Sequence, residues 1–331
     1  MYINRKPLVI NDPLNDPRFQ GVNWSGTVRS LVSVPLQVNS RLVGILTLYN
    51  KKRGVEFSIE DQRLLSILAG QSAQVIETAR LYEEEKKLAT VQQELSLAYE
   101  IQTNLLPSKA PTIKGFDVAG ISIPAQSVGG DYFDYIKIDD YHWGMALGDV
   151  SGKGMGASLL MANCQATLRG QAHFGLSVHE TIERSNHLLS DNIRRGSFVT
   201  LFYGVLDAIS GQFKFTNAGH NKPYVCRADG SLETLMIGGL VVGFIGSQKY
   251  QEDSIVLEPG DTLFVFSDGV TEAMNPKHEQ FEEERLEELL KNMGDVPAQT
   301  YIDTVFAAVK KHAGVEPQND DITMLVIKRL N

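Results

Sequence analysis

The chain has 331 residues, 43% of them hydrophobic and 21% charged, a composition typical of soluble globular proteins with a buried core. The formal net charge of −9 argues against nucleic acid or an anionic membrane as the main partner, because both attract basic surfaces. No apolar run approaches the ~20 residues of a membrane span, and the first residues lack the apolar segment of a signal peptide. The two cysteines, Cys164 and Cys226, lie in no metal-binding spacing and suit a reducing compartment. We therefore expect a cytoplasmic protein.

The first part of the chain, to about residue 57, predicts a small sheet. Two strand-like runs cover residues 30–38 and 42–50, and Asn39-Ser40-Arg41 between them is typical of a hairpin turn.

One long helix is predicted next, over residues 58–106. Ser58 is a good N-cap, acidic residues follow it in the first turn, and no proline interrupts until Pro107. From Leu81 onward apolar residues recur every seven positions, in the two seams Leu81, Leu88, Leu95 and Val91, Ala98, Leu105, although Glu84 and Gln102 break the pattern. A single amphipathic helix packed on a domain would also account for this, but the sustained heptad favours a short parallel coiled coil between two chains.

The remainder, from about residue 108, contains many short apolar strands. Helical patterns follow Lys153 and Ser177, and another covers residues 282–293. Because the helices cluster in sequence and do not alternate with single strands, the pattern predicts a layered α+β sandwich, whereas a βαβ alternation would have predicted a parallel sheet.

Acidic residues in Gly-rich or strand-end settings are the chemistry-bearing feature of this region. They are Asp131 in Gly129-Gly130-Asp131, Asp149 in Gly148-Asp149-Val150-Ser151-Gly152-Lys153-Gly154, Asp268 in Ser267-Asp268-Gly269, and the pair Asp320-Asp321. Each setting alone could be an ordinary turn. Together they suggest carboxylates that converge on one or two hard cations such as Mg²⁺ or Mn²⁺, which take oxygen ligands. The sequence therefore predicts metal-assisted hydrolysis, most naturally of a phosphate ester. Asp134 falls on the opposite strand face from Asp131, so we expect a surface or network residue there.

Two nucleotide-binding motifs are excluded for the Gly-rich segment. A P-loop needs G-x-x-x-x-G-K-[ST], but this segment is one residue too short and Gly154 replaces the hydroxyl residue. The dinucleotide fingerprint G-x-G-x-x-G is also absent, because Gly152, Gly154 and Gly156 are evenly spaced.

The motifs over residues 95–331, both in their order and in their residues, resemble those of the metal-dependent protein phosphatases (PPM) of the SpoIIE/RsbU type. The matching segments are residues 128–134, 148–154, 198–201, 217–221, 267–273 and 320–323, with Ile101-Gln102 and Leu105-Leu106-Pro107 at the domain entrance. The resemblance implies a β-sandwich flanked by helices, with two metal ions, Mn²⁺ or Mg²⁺, at one end. It implies that Asp149 bridges the ions beside the Val150 carbonyl, that Asp131 and Asp268 complete the site, and that Asp321 holds the second ion. Asp321 is preferred to Asp320 because the family's ligand directly precedes the Ile-Thr pair.

Two positions bear on the general acid, the group that would protonate the leaving oxygen of the phosphate ester during hydrolysis. Many relatives in the wider superfamily carry a histidine two residues after the bridging aspartate, where this chain has Ser151, so water or a metal-bound water would supply the proton. His220 is a second candidate for general acid, and a structural role in its Asn217-Ala218-Gly219-His220-Asn221 turn is the alternative.

The N-terminal part resembles the C-terminal half of a GAF domain. The resemblance is carried by residues 30–35, by Arg41-Leu42-Val43-Gly44-Ile45-Leu46-Thr47-Leu48, and by Phe57-Ser58 at the start of the long helix. We therefore predict a partial GAF-like α/β sensor domain at 1–75, a coiled-coil linker helix at 76–107 that forms a homodimer, and an α+β PPM-type phosphatase domain at 108–331.

The predicted function is a two-metal serine/threonine protein phosphatase in which a metal-bridging hydroxide attacks phosphorus in line. The resemblance implies a phosphoserine or phosphothreonine protein as substrate, of the anti-anti-sigma (STAS-domain) kind, with control through the N-terminal helix. Two alternatives stay open: a non-catalytic signalling module that binds partners, and a hydrolase of small phosphoesters.

Overall fold

A computed structural model of the chain describes residues 5–24, 26–191, 193 and 196–331. The chain divides into two compact units, one up to Gln93 and one from Glu94 onward. The division falls inside the long helix, and the predicted domain boundaries at 75 and 107 stay a prediction.

The N-terminal unit contains a three-stranded antiparallel sheet with strand order β1-β2-β3. Its strands are β1 (Leu8–Ile10), β2 (Leu31–Val38) and β3 (Arg41–Tyr49). The two strands predicted around Asn39-Ser40 are thus confirmed, and β1 was not predicted. The core of the unit lies between β2 and the start of the long helix, where Val32 and Val34 cluster with Phe57, Leu65 and Ala69.

Helix α1 spans Ile59–Leu105, which confirms the predicted long helix. Ser58 and Asp61 cap its first turn reciprocally: the Ser58 amide donates to the Asp61 carboxylate at 2.7 Å, and the Asp61 amide donates to the Ser58 hydroxyl at 3.3 Å. In the single chain the seam residues Leu81, Leu88 and Val91 are exposed, Leu88 to 72%.

The C-terminal unit is a sandwich of two sheets with helices outside both. The five-stranded sheet has the order β10-β9-β13-β14-β4, and the six-stranded sheet runs β11-β8-β7-β6-β5 with β12 paired to β8. The strands are β4 (Phe116–Ile123), β5 (Tyr132–Lys137), β6 (His142–Val150), β7 (Val199–Asp207), β8 (Gln212–Ala218), β9 (Tyr224–Cys226), β10 (Leu232–Thr234), β11 (Gly238–Gly239), β12 (Asp253–Val256), β13 (Thr262–Phe266) and β14 (Ile322–Arg329).

Helices cover the outer face of each sheet. Those of the unit are α2 (Met155–Ala172), α3 (Val178–Ser190), α4 (Asp268–Thr271), α5 (Glu283–Lys291) and α6 (Ala298–Ala313). Apolar residues of α2 and α3 pack with the six-stranded sheet, and those of α5 and α6 pack with the five-stranded one. A third cluster, including Phe202, Phe213 and Leu325, fills the space between the sheets. The fold confirms the predicted α+β sandwich.

Helix α6 was not predicted. It begins after Pro297, which has no side-chain cap to offer, and the Ala298 amide in its first turn instead donates to the distant Asp117 carboxylate at 2.8 Å. The usual sequence signal of a helix start, a Ser, Thr, Asp or Asn N-cap, is therefore missing.

Among the described residues, no helix is long and apolar enough to cross a membrane.

Candidate active site

The acidic residues predicted from the sequence lie at the ends of four strands. Asp131 directly precedes β5, and Asp149 is the penultimate residue of β6; these strands pair with Tyr132 opposite Gly148. Asp268 opens α4 just after β13, and Asp321 directly precedes β14, which pairs with β13. Each sheet thus carries its acids on two adjacent strands.

The two groups of acids meet across the sandwich. The Gly130 amide donates to Asp321 Oδ2 at 2.6 Å, and a Cβ on Gly129 would lie only 2.6 Å from the same oxygen. Glycine is therefore required at 129, because a side chain there would push the loop before Asp131 away from Asp321.

Burial and mutual repulsion raise the pKa of three of these acids. Burial, and then Asp149 beside it, raises the pKa of Asp131 well above its ordinary range. Burial, followed by Asp268 and Asp320, raises the pKa of Asp149 to about 7. Burial and the Asp320 charge raise the pKa of Asp268 to about 6. Carboxylates held together in this way are costly unless a cation or protons neutralise them.

The donor set fits divalent cations. Asp131 is buried, and its Oδ2 has no hydrogen-bond partner, which leaves a carboxyl oxygen available as a ligand. The Val150 carbonyl faces Gly130, where an added Cβ would lie 3.0 Å from it. These are all oxygen ligands, as Mg²⁺ and Mn²⁺ prefer. Across the residues that the structure describes, no three His, Cys, Asp or Glu groups are close enough to hold one ion as they stand. Ligation would therefore require the side chains to draw together.

Asp320 and Asp321 have different surroundings. Asp321 is buried, and it accepts hydrogen bonds from the Ala125 amide at 2.7 Å and the Gly130 amide at 2.6 Å. These contacts fasten two loops to the start of β14. The Asp320 carboxylate is partly exposed and acts electrostatically on Asp149 and Asp268, while Asp321 acts on Asp131 and Asp149. Asp321 is thus the anchor of the loop that carries Asp131, and which of the two adjacent acids holds a cation stays a prediction.

Gln102 also holds that loop, from the other side. Its side-chain amide donates to the Gly129 carbonyl at 2.6 Å and accepts from the Gly129 amide at 3.0 Å. Gln102 is buried in the last turn of α1. The sequence marked Gln102 twice, as a break in the heptad and as part of the family resemblance at the domain entrance, but not as a partner of Gly129. The heptad break was the local signal, since a polar residue in an apolar seam needs a partner.

His220 is a structural residue with no nitrogen free for proton transfer. Its Nε2 donates to the Phe266 carbonyl at 3.1 Å, so Nδ1 accepts from the Thr200 hydroxyl at 2.8 Å. Burial lowers the pKa of the ring to about 4. Of the two roles left open for His220, the geometry supports the structural one: it joins β7 of one sheet to β13 of the other.

Ser151 and Asp134 are held in networks of their own. The Ser151 hydroxyl accepts from the Phe198 amide at 2.9 Å, which gives it a local structural role. Asp134 is fully buried, which excludes the surface alternative. It accepts from Arg169 of α2 at 2.6 and 2.7 Å and from the Tyr132 hydroxyl at 2.8 Å. It is the network residue that its position on the opposite strand face predicted.

Comparisons with known proteins agree with this architecture. Residues 139–330 match the family described as Stage II sporulation protein E (SpoIIE), and residues 1–77 match the GAF domain family. The chain is 29% identical over 253 residues to the phosphoserine phosphatase RsbU of Bacillus subtilis (strain 168). The aligned region covers 75% of each protein.

Solved structures show the same fold. The SiaA-PP2C domain of Pseudomonas aeruginosa has a TM-score of 0.65 at 20% identity, covering 73% of this chain and 98% of that domain. The RsbU and RsbW domains of a Mycobacterium tuberculosis protein give a TM-score of 0.58 at 24% identity, covering 68% of this chain and 63% of theirs.

Proposed function

The chain belongs to the SpoIIE family and is a protein serine phosphatase, and we propose that it uses two divalent cations to remove phosphate from a bacterial regulatory protein. The observation that carries the proposal is the convergence of Asp131, Asp149, Asp268 and Asp320 from both sheets at one end of the sandwich, with an unpartnered buried oxygen on Asp131. Bound cations would supply an activated water as nucleophile and neutralise the phosphoryl oxygens.

The chain's own residues have two kinds of role in this proposal. Asp149, Asp131, Asp268, Asp320 and the Val150 carbonyl hold the cations. Asp321 orients the loop before β5. Because two backbone amides already hold Asp321, we propose Asp320 for the second cation, where the family resemblance implied Asp321. In the reaction a P–O bond forms to water, the bond to the serine oxygen breaks, and that oxygen gains a proton. We assign that proton to water, because Ser151 stands where many relatives have a histidine and both ring nitrogens of His220 are already hydrogen-bonded.

The substrate we propose is a phosphorylated STAS-domain protein of the anti-anti-sigma kind. The support is indirect: the relative RsbU is named a phosphoserine phosphatase, and in the mycobacterial structure an RsbU domain accompanies an RsbW domain. We further propose that the protein acts in the cytoplasm, which suits its two buried free cysteines. The exposed seam on α1 supports a parallel homodimer.

A phosphatase assay tests the proposal. Purified protein is given a phosphoserine STAS-domain protein, its phosphothreonine form and p-nitrophenyl phosphate, each with Mn²⁺, with Mg²⁺ and with EDTA. We expect metal-dependent release of phosphate, fastest from the phosphoserine protein. Preference for p-nitrophenyl phosphate would instead indicate a small-molecule phosphoesterase. No turnover with any metal, together with tight binding of the STAS protein, would indicate a non-catalytic module.

A further inference from the structure

Lys153 places a cation beside the acids of the candidate active site. It lies in the loop that directly follows β6, between Gly152 and Gly154. Its ammonium is 2.9 Å from Asp320 Oδ2 and also donates to the Asn319 carbonyl. The side chain is 46% exposed. Its position at the mouth of the site and its charge together make it available to a ligand arriving from solvent.

A phosphate substrate meets an electrostatic obstacle here. A phosphoserine carries a charge of about −1.5 to −2 near pH 7, and it must approach Asp131, Asp149, Asp268, Asp320 and Asp321. Among the lysines and arginines that the structure describes, only Lys153 forms an ion pair with one of these acids. Bound cations would offset the carboxylates, and a further positive group would favour the incoming phosphoryl oxygens.

We propose that Lys153 binds the phosphoryl group of the substrate, an inference that rests on the proposed function. A cation bound to Asp320 would weaken the attraction of that carboxylate for Lys153, which leaves the ammonium freer to move. The flexible four-carbon stem lets the ammonium move while the backbone stays in place. It then donates to a non-bridging phosphoryl oxygen, as lysine does at other phosphate sites, where it acts as a point charge.

The competing explanation is a structural ion pair that only fastens the loop after β6 to the one before β14. Exposed ion pairs contribute little to stability. That explanation nevertheless predicts that removing Lys153 would loosen Asp320 and weaken cation binding. A phosphate-binding role predicts the reverse, because the ammonium competes with the cation for Asp320.

The test compares Lys153→Gln with Lys137→Gln, a matched control. Lys137 ends β5, at the opposite end from Asp131, and its ammonium is likewise 2.9 Å from an aspartate, Asp140. Isothermal titration measures Mn²⁺ binding without substrate, and then binding of inorganic phosphate to the Mn²⁺-loaded protein. Steady-state kinetics give KM and kcat for the phosphoserine protein.

For Lys153→Gln we expect phosphate affinity to fall, and KM to rise, by about tenfold, the loss typical of a charge-assisted hydrogen bond. Mn²⁺ affinity should be unchanged or higher, and Lys137→Gln should match the wild type throughout. Unchanged phosphate affinity in Lys153→Gln, or weaker Mn²⁺ binding, would overturn the inference. An inactive wild type that still binds Mn²⁺ would overturn the proposed function instead, so the two failures are distinguishable.

Discussion

Gln102 and Gly129 form a reciprocal pair of hydrogen bonds between the last turn of α1 and the loop that carries Asp131. On its other side the same loop is fixed to Asp321 through the Gly130 amide. The position of Asp131 therefore depends on the end of α1 as well as on the sheet. A small displacement of that helical turn would be transmitted to a candidate metal ligand only two residues beyond Gly129.

Replacing Gln102 with Leu should uncouple the helix from the loop. The substitution keeps much of the side-chain volume but leaves the buried Gly129 amide and carbonyl unpaired, at a cost of about 1–3 kcal/mol for each group. We expect Mn²⁺ affinity to fall about tenfold and Tm to fall by several degrees. Asn186→Leu is the control, because the buried Asn186 amide likewise donates to a backbone carbonyl, that of Ile245, and accepts from a backbone amide, that of Gly243, without touching α1 or the Asp131 loop. Equal losses in both variants would contradict the coupling.

Asp149→Asn should lower Mn²⁺-dependent turnover while raising the melting temperature of the metal-free protein. Asp149 is half-buried among other acids, so removing its charge relieves repulsion in metal-free protein. In EDTA the variant should melt a few degrees above the wild type, while Mn²⁺-dependent turnover should fall by at least about a hundredfold. Thermal melts with and without Mn²⁺ measure both effects, with the exposed Asp140 changed to Asn as control. Wild-type turnover in a folded Asp149→Asn protein would refute its assignment as a metal ligand.

Asp320→Asn and Asp321→Asn should differ in which quantity they lower: Mn²⁺ affinity for the first, and Tm in EDTA for the second. Asp320 faces the other acids, so its loss should weaken the binding of one cation and leave Tm in EDTA equal or higher. Asp321 accepts the Ala125 and Gly130 amides, so its loss should lower Tm by weakening two charge-assisted hydrogen bonds. Titration of Mn²⁺ and melting curves on both variants distinguish them. The reverse pattern would restore Asp321 as the ligand.

These neighbouring acids also show how far the sequence could be interpreted. The acidic motifs, the helices that follow Lys153 and Ser177 and the long helix α1 were all predictable, because glycines, caps and periodicity are local signals. Which of two adjacent carboxylates turns toward the site depends on amides of residues 125 and 130, about 190 positions away in the chain. Gln102 was visible as an irregularity in the heptad and as part of the family resemblance, but its bond to Gly129 was not, since no local pattern links the two positions.

His220 should make stability depend on pH below neutrality. Its pKa is lowered to about 4 by burial, against an ordinary value of 6.5, so the unfolded chain binds a proton that the folded protein excludes. The contribution is fully present above about pH 6.5 and is lost as the pH falls towards 4, by about 3 kcal/mol in total. The measurement is the free energy of unfolding between pH 4 and 8.

His220→Gln should be less stable than the wild type at pH 8, because the bonds to Thr200 and Phe266 are weakened. The difference between the two proteins should shrink as the pH falls, since the variant has no imidazole to protonate. His142→Gln, which removes an exposed histidine, serves as the control. A constant difference from pH 8 to pH 4 would show that His220 is not held neutral by the fold.

The exposed seam of α1 predicts a dimer that charged side chains placed in the seam would dissociate. Leu88 and Leu95 lie seven residues apart in one seam, and glutamates at both positions would bury charge between two helices. Light scattering should show a dimer for the wild type at tens of micromolar and a monomer for Leu88→Glu with Leu95→Glu. The control pair Lys86→Glu with Gln93→Glu has the same spacing but falls on the outer face of the heptad, so it should remain dimeric.

Activity decides whether this dimer matters for control. The same helix carries the seam and, in its last turn, Gln102 with its hold on Gly129. An effector that favours one helix arrangement by only about 1–3 kcal/mol would change the active fraction several-fold or more. The monomeric variant should therefore differ from the wild type in basal turnover, and adding Gln102→Leu should abolish that difference. A monomer with wild-type turnover would show that dimerisation and catalysis are independent, and a wild type that is already monomeric would remove the coiled coil from the mechanism.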